Sequence, residues 1–220
     1  MNLRRGVILL AVALCFAVPS FAQMMGQGPP VVRGVWSPTV GSGAAYDTER
    51  DGRKVKMEIA IVGREEFQGK PAHWLEMYFP ETENGEMVMK TLVAVDGENT
   101  RVVRMIIQNP EMGAFEMPVG GRMMRGNQSQ TVSAADVTKT GTLVGTESIE
   151  TPAGTFECAH YRTADGADVW LAKDVGPWGM VKTVSPRASM TLTKVMTGVK
   201  TRVTGPVQKF DPGAMMPPPQ

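Results

Sequence analysis

Two side chains that can bind a metal ion or act in nucleophilic chemistry lie close together in the sequence, at Cys158 and His160. Residues two apart on a strand point to the same face, so the thiol and the imidazole would meet one metal ion or form a thiolate pair. A catalytic zinc site needs three protein ligands and a structural site four, and His73 is the one other histidine. Phe156 falls on the same predicted face, which favours a packed core with Cys158 as a small hydrophobe. The pattern therefore predicts no metal cofactor here.

Other arrangements that could do chemistry are incomplete. The segment Gly41-Ser42-Gly43 lacks the glycine spacing of a serine nucleophile elbow, and it lacks the lysine that follows the glycines of a phosphate-binding loop. The acidic pairs, Glu65 with Glu66 and Glu81 with Glu83, flank predicted turns, where carboxylates are solvated. We therefore expect a protein that is not an enzyme and that has no cofactor.

Methionine is unusually common, with 17 residues against 7 phenylalanines. It recurs in short clusters, at Met87 with Met89, Met112 with Met117, and Met123 with Met124. Because soft thioethers select Cu(I), Met123 and Met124 form a candidate copper site. Flexible, polarizable methionines also line surfaces that adapt to apolar ligands, or they fill a core. Composition alone does not decide whether these methionines line a ligand surface or fill the core.

The elements that must position these residues are strands. Hydrophobic residues alternate with period two, and turn pairs of the kind that join antiparallel strands recur at Asp51-Gly52, Asn84-Gly85, Asp96-Gly97 and Asp165-Gly166. Helix signals are thin, and the best is Ser133–Lys139 with Ser133 as its cap. The sequence predicts a mainly β fold with little helix.

About ten strands follow from this pattern, in addition to one that contains Tyr46. They are expected at Lys54–Val62, Ala72–Phe79, Met87–Val95, Asn99–Ile107, Thr142–Ile149, Thr155–Arg162, Asp168–Ala172, Met180–Val184, Met190–Thr197 and Lys200–Thr204. Ala72–Phe79 is apolar on both faces, which predicts a strand covered on both sides. The candidate residues for lining an apolar site are Leu75, Met77, Phe79, Met89, Val93 and Met105.

The two ends of the chain differ from its middle. Residues 1–22 resemble a secretory signal peptide, with Arg4 and Arg5, an apolar run and small residues before a cut after Ala22. We expect a flexible segment over 23–35, a β domain over 36–205 with an irregular loop at 108–140, and a disordered tail over 206–220 that is rich in proline and methionine.

Charge and cysteine content narrow the class of protein further. Cleavage would remove two arginines and no acid, which lowers the formal net charge of +1 by two and predicts no nucleic-acid partner. No later segment is apolar for long enough to span a bilayer, so we expect no integral membrane protein after cleavage. Cys158 would have no disulfide partner in an oxidising compartment. These features predict a periplasmic protein.

The stretch Gly145–Cys158, followed by Asp168–Ala172 and Gly179–Lys182, resembles the later hairpins of the LolA/LolB-like superfamily of periplasmic lipoprotein carriers and their lipoprotein-sorting-like relatives. The resemblance covers about residues 141–197. It implies a single curved antiparallel sheet, an unclosed β-barrel, whose hollow face holds an acyl chain. The chain departs from the carriers at Gly26–Pro30, where they have an amphipathic helix.

Three functions remain open after these observations. The first is binding of an apolar ligand, a lipid or an acyl chain, or handling of lipoproteins, in the cell envelope. The second is a structural module with a filled core whose edge strands meet envelope proteins. The third is copper handling through Met123 and Met124.

Overall fold

A computed structural model describes residues 34–96, 99–119 and 136–209 of the chain. One sheet of twelve strands contains nearly all of the regular structure, in the order β12-β6-β5-β4-β3-β2-β1-β11-β10-β9-β8-β7. Every neighbouring pair is antiparallel except β12 with β6, and the sheet does not close. The predicted fold class is confirmed. The strands are β1 Gly43–Arg50, β2 Arg53–Phe67, β3 Lys70–Thr82, β4 Gly85–Asp96, β5 Asn99–Asn109, β6 Gly113–Met117, β7 Thr142–Thr151, β8 Gly154–Arg162, β9 Asp168–Leu171, β10 Met180–Val184, β11 Ala188–Met196 and β12 Gln208–Lys209.

Tight turns join the long central strands. Asp51 and Gly52 have φ angles of 48° and 81°, the left-handed conformation that was predicted for the turn between β1 and β2. The turn between β2 and β3 uses Gln68 and Gly69 in the same way, although glutamine gave no such signal. The predicted turn at Asn84-Gly85 is shifted by one residue, because Thr82 pairs with Gly85.

The two faces of the sheet carry different packing, and we name them by β3. The core face holds His73, Leu75, Met77 and Phe79 together with the main hydrophobic cluster. The strap face holds Ala72, Trp74, Glu76 and Tyr78, and a second hydrophobic cluster covers its centre. Leu75 and Glu76 are both buried. The prediction that this strand is covered on both sides is confirmed.

A segment after β11, residues 199–207, crosses the strap face, and we call it the strap. Glu76 accepts hydrogen bonds from the Thr201 hydroxyl, at 2.6 Å, and from the Arg202 backbone N–H, at 2.9 Å. The Thr204 N–H donates to the Gln108 side chain at 2.8 Å. The strap then leads into β12, which pairs with β6 at the edge of the sheet.

Several predicted boundaries are wrong, and each error has a local cause. Residues 200–204 are not a strand because their polar groups bond to side chains of the sheet. Gln208–Lys209 lies in the predicted disordered tail but pairs with β6. Val35, in the predicted flexible segment, donates its N–H to the Trp178 carbonyl at 3.0 Å.

The predicted irregular loop at 108–140 is also wrong in its first part. β5 continues to Asn109, and β6 begins at Gly113 with a φ of 71°, so Pro110 belongs to a hairpin turn. The single described helix, α1 at Val137–Thr140, is capped by Asp136, whose side chain accepts from the Thr138 N–H. Ser133, the predicted cap, lies outside the described residues. None of the described helical residues forms a segment long and apolar enough to span a membrane.

Candidate functional site: the core face

A group of half-buried apolar side chains lies on the core face of β3 to β6. Register places Phe79 opposite Met87 and Met77 opposite Met89, while Met105 lies opposite Met117. We call the half-buried members the methionine surface, and they are Phe79, Met87, Met89, Met112 and Met117. These side chains are long, unbranched or aromatic, and partly accessible. They are suited to contact an apolar chain of variable shape.

The six predicted lining residues all lie on this core face, and they divide by burial. Leu75, Met77, Val93 and Met105 are buried within the protein's own clusters, whereas Phe79 and Met89 are half-buried. Two of the six therefore belong to the methionine surface. Met87, Met112 and Met117 complete it, and their sequence clustering was the signal that marked them.

Two cavities among the described residues lie elsewhere. One, of about 290 Å³, is lined by Glu86, Val88, Gln108, Asn109, Pro110, Gly113 and Thr204. The other, of about 420 Å³, is lined by Asp47, Thr48, Glu49, Lys54, Val55, Lys56, Glu81, Ser189 and Thr191. Both are mainly polar, and neither contains a predicted lining residue.

Three aromatic rings meet on the core side of the molecule near the start of β3. The Trp36 ring lies 5.1 Å from the Trp178 ring and 6.3 Å from the His73 ring, measured between centroids. The Nε1 atoms of both tryptophans and the Nδ1 atom of His73 are buried and have no hydrogen-bond partner among the described residues. Burial, followed by the charge of Arg64, lowers the pKa of His73. The imidazole is therefore neutral at pH 7.

The sequence did not predict this ring cluster. Trp36 precedes β1, and Trp178 follows Gly176-Pro177 in a loop between β9 and β10, so neither tryptophan belongs to a strand pattern. A tryptophan within a Gly- and Pro-rich turn was the only available signal. His73 was considered solely as a third metal ligand.

Cys158 and His160 have separate environments. The Cys158 side chain is fully buried, and burial, with Glu157 and Glu147, raises the pKa of its thiol to about 11. The two ring nitrogens of His160 each lie 2.8 Å from a carboxylate, of Glu147 and of Asp168. A thiol with this pKa is protonated at pH 7, and a protonated thiol is a poor nucleophile. The environment of Cys158 therefore favours its role as a packed core residue over a chemical role.

Within the part of the chain that the structure describes, no group of three or more Asp, Glu, His or Cys side chains could hold a metal ion. Met123 and Met124, the candidate copper ligands, lie outside that part. The copper hypothesis stays a prediction.

Comparison with known proteins gives distant structural similarity alone. No protein-family model matches the sequence, and no curated protein matches it. A candidate lipoprotein of Parabacteroides distasonis is 12% identical with a TM-score of 0.34, over 74% of this chain and 99% of that one. A candidate exported protein with a YmcC-like fold from Bacteroides fragilis is 13% identical, with a TM-score of 0.35 over 74% and 99%. A DUF1329 family protein from Desulfovibrio piger is 12% identical, with a TM-score of 0.31 over 72% and 85%. Similarity at this level carries no argument about function.

Proposed function

We propose that this chain is an exported protein that binds an apolar ligand, such as a lipid or acyl chain, on the core face of its sheet. The observation that carries the proposal is the methionine surface, where five large apolar side chains on one face are only half-buried. Removal of apolar area from water is worth about 25 cal/mol per Å², so covering these side chains with a ligand is favourable. Binding of this kind needs no cofactor and no covalent step.

The residues predicted to line the site differ in burial and therefore in their proposed role. Leu75, Met77, Val93 and Met105 form the packed floor, while Phe79 and Met89 reach the accessible layer. Methionine has three rotatable bonds, so the accessible layer can adjust to ligands of different shape. The predicted signal peptide at residues 1–22 supports a site of action in the periplasm.

A fluorescence titration with cis-parinaric acid, a polyene fatty acid, tests this function. We expect saturable binding by the native chain and about tenfold weaker binding by a Met87→Gln, Met89→Gln double variant, which corresponds to about 1.4 kcal/mol. The matched control is Leu143→Gln with Val144→Gln, because those side chains on β7 are also exposed, at 58% and 53%. Equal loss in both double variants, or no binding by the native chain, would overturn the proposal.

A second candidate function rests on the opposite edge of the sheet. β7 pairs only with β8 among the described strands, and most of its ten residues are exposed. A long open edge is a template for a strand of another protein. Sedimentation velocity would detect self-association through this edge, and Val144→Lys with Thr146→Lys should abolish it because lysine protects sheet edges. If the protein is a monomer at every concentration, self-association through the β7 edge is ruled out.

A further inference from the structure

In the described part of the chain, buried side-chain polar atoms without partners are concentrated at one place. Four buried side-chain nitrogen or oxygen atoms lack a hydrogen-bond partner among the described residues, and three of them belong to Trp36, Trp178 and His73. The Trp36 ring contacts both the Trp178 ring and the His73 ring. Buried polar groups in native proteins are nearly always paired, so three unpaired groups on rings that meet at Trp36 point to a missing external partner.

The ring cluster is held by main-chain contacts. The Val35 N–H donates to the Trp178 carbonyl at 3.0 Å, and the Ser37 N–H donates to the Pro177 carbonyl at 2.9 Å. A Cβ atom on Gly34 would lie 2.2 Å from the Trp178 carbonyl oxygen, so only glycine permits this approach. Trp36 is thereby fixed against Trp178, which is 1% exposed.

The chemistry of the three rings selects the kind of ligand. An indole Nε1–H is a donor only, so Trp36 and Trp178 offer two donors and no acceptor. His73 contributes a neutral imidazole. The charge that acts on it, that of Arg64, is exposed, so an anion buried here would lack a buried counter-charge and would lose its hydration. An uncharged carbonyl oxygen, with two lone pairs, meets both donors without that cost.

We propose that Trp36, Trp178 and His73 bind the ester carbonyl oxygen of an acylated ligand. This inference rests on the proposed function, because the methionine surface would take the apolar chain of the same ligand. His73 and Met77 lie on the same face of β3, four residues apart, which is about 13 Å along a strand. Met77 pairs with Met89 of the methionine surface. A carbonyl at the rings can therefore belong to a chain that reaches the methionines.

The test compares two probes that differ in the carbonyl alone, 1-monolauroylglycerol and its ether 1-O-dodecylglycerol. The readout is the four indole N–H signals of the ¹⁵N-labelled chain, together with each Kd. Trp74 and Trp170 are internal controls, because their N–H groups already donate to Glu65 and Glu147. We expect the ester to shift the Trp36 and Trp178 signals and to bind about tenfold more tightly than the ether.

The outcomes separate this inference from the function on which it rests. If neither probe binds, the proposed function fails, and the carbonyl site fails with it. If both probes bind equally and no core-face indole shifts, the function stands and the carbonyl site is overturned, which leaves ordered water as the partner of the rings. An ester preference that shifts Trp74 or Trp170 instead would also overturn it.

A pair of variants tests whether the preference for the ester over the ether depends on Trp36. Trp36→Phe should reduce the ester-to-ether ratio to about one, whereas Trp170→Phe should leave the ratio unchanged. Benzothienylalanine in place of Trp36 removes the N–H and keeps the ring size, so it gives the same answer if Trp36→Phe disturbs folding. A tenfold ester preference that survives the benzothienylalanine change would contradict the assignment.

Discussion

The four tryptophans of this chain divide equally by whether the indole N–H has a partner among the described residues. The Trp74 N–H donates to Glu65 at 3.0 Å and the Trp170 N–H donates to Glu147 at 2.7 Å. Cations also lie over these two rings, with Lys90 4.9 Å from the Trp74 centroid and Lys182 5.4 Å from the Trp170 centroid. On the core side, the N–H groups of Trp36 and Trp178 have no partner among the described residues.

The difference shows that one residue type has two roles here. A tryptophan whose N–H meets a carboxylate and whose ring meets a cation is fully used by the fold. A buried tryptophan without a hydrogen-bond acceptor keeps its N–H available at a cost in stability. Trp74 and Trp170 therefore contribute their N–H groups to stability, whereas Trp36 and Trp178 do not.

The largest expected effect comes from removing a polar group of the strap face. Glu76 is 2% exposed and holds the strap through Thr201 and Arg202. Glu76→Ala would leave both donors without their acceptor, and we expect the free energy of unfolding to fall by about 3 kcal/mol. Urea denaturation measures this change. Glu66→Ala, at an exposed position of β2, is the control and should change stability by less than about 0.5 kcal/mol. A similar small change for Glu76→Ala would mean that the strap does not stabilise the sheet.

A smaller effect should come from the indole N–H groups themselves. Benzothienylalanine in place of Trp74 deletes a hydrogen bond to a carboxylate, so we expect a loss of about 1.5 kcal/mol. The same replacement of Trp178 deletes an unpaired buried donor, so stability should be unchanged or higher by up to about 1 kcal/mol. Thermal unfolding of the two proteins in parallel tests the contrast. Equal losses at both sites would show that Trp178 has a hydrogen-bond partner in solution.

Sequence patterns predict the regular part of this structure well and the ring cluster poorly. Alternation in Lys54–Val62 and Ala72–Phe79 identified two central strands, because side chains on a strand alternate between faces. The same rule put all six predicted lining residues on one face. It does not say how deeply each is buried, which depends on strands and loops distant in sequence. Leu75 is covered by the core cluster while Phe79 is not fully covered.

Contacts made by loops could not be predicted from the sequence. The contact between Trp36 and Trp178 joins residues far apart in the chain through two main-chain hydrogen bonds, and no periodic pattern encodes such a pairing. The strap was missed for a related reason. Its Thr201 and Arg202 groups bond to Glu76, and a lone glutamate inside an apolar strand gives no sign of its partner.

The smallest expected effect is a difference between His73 and Asp168 in the pH range over which each changes the free energy of unfolding. Burial, followed by Arg64, lowers the pKa of His73 from its ordinary value of 6.5. The unfolded chain therefore binds a proton before the folded chain does, and stability should fall as the pH drops below about 6.5 towards the folded pKa. Hydrogen bonds from Arg162 and His160 lower the pKa of Asp168 from 3.8. Its contribution is fully present above that value and is lost as the pH falls through the folded pKa.

Two variants assign these windows to their residues. His73→Gln should flatten the dependence of unfolding free energy on pH just below 6.5 and leave the region below pH 4 unchanged. Asp168→Asn should flatten the dependence below pH 4, because it removes the carboxylate that Arg162 and His160 stabilise. Chemical denaturation across the pH range measures both. If the loss of stability below pH 6.5 persists in the His73→Gln protein, another group takes up the proton.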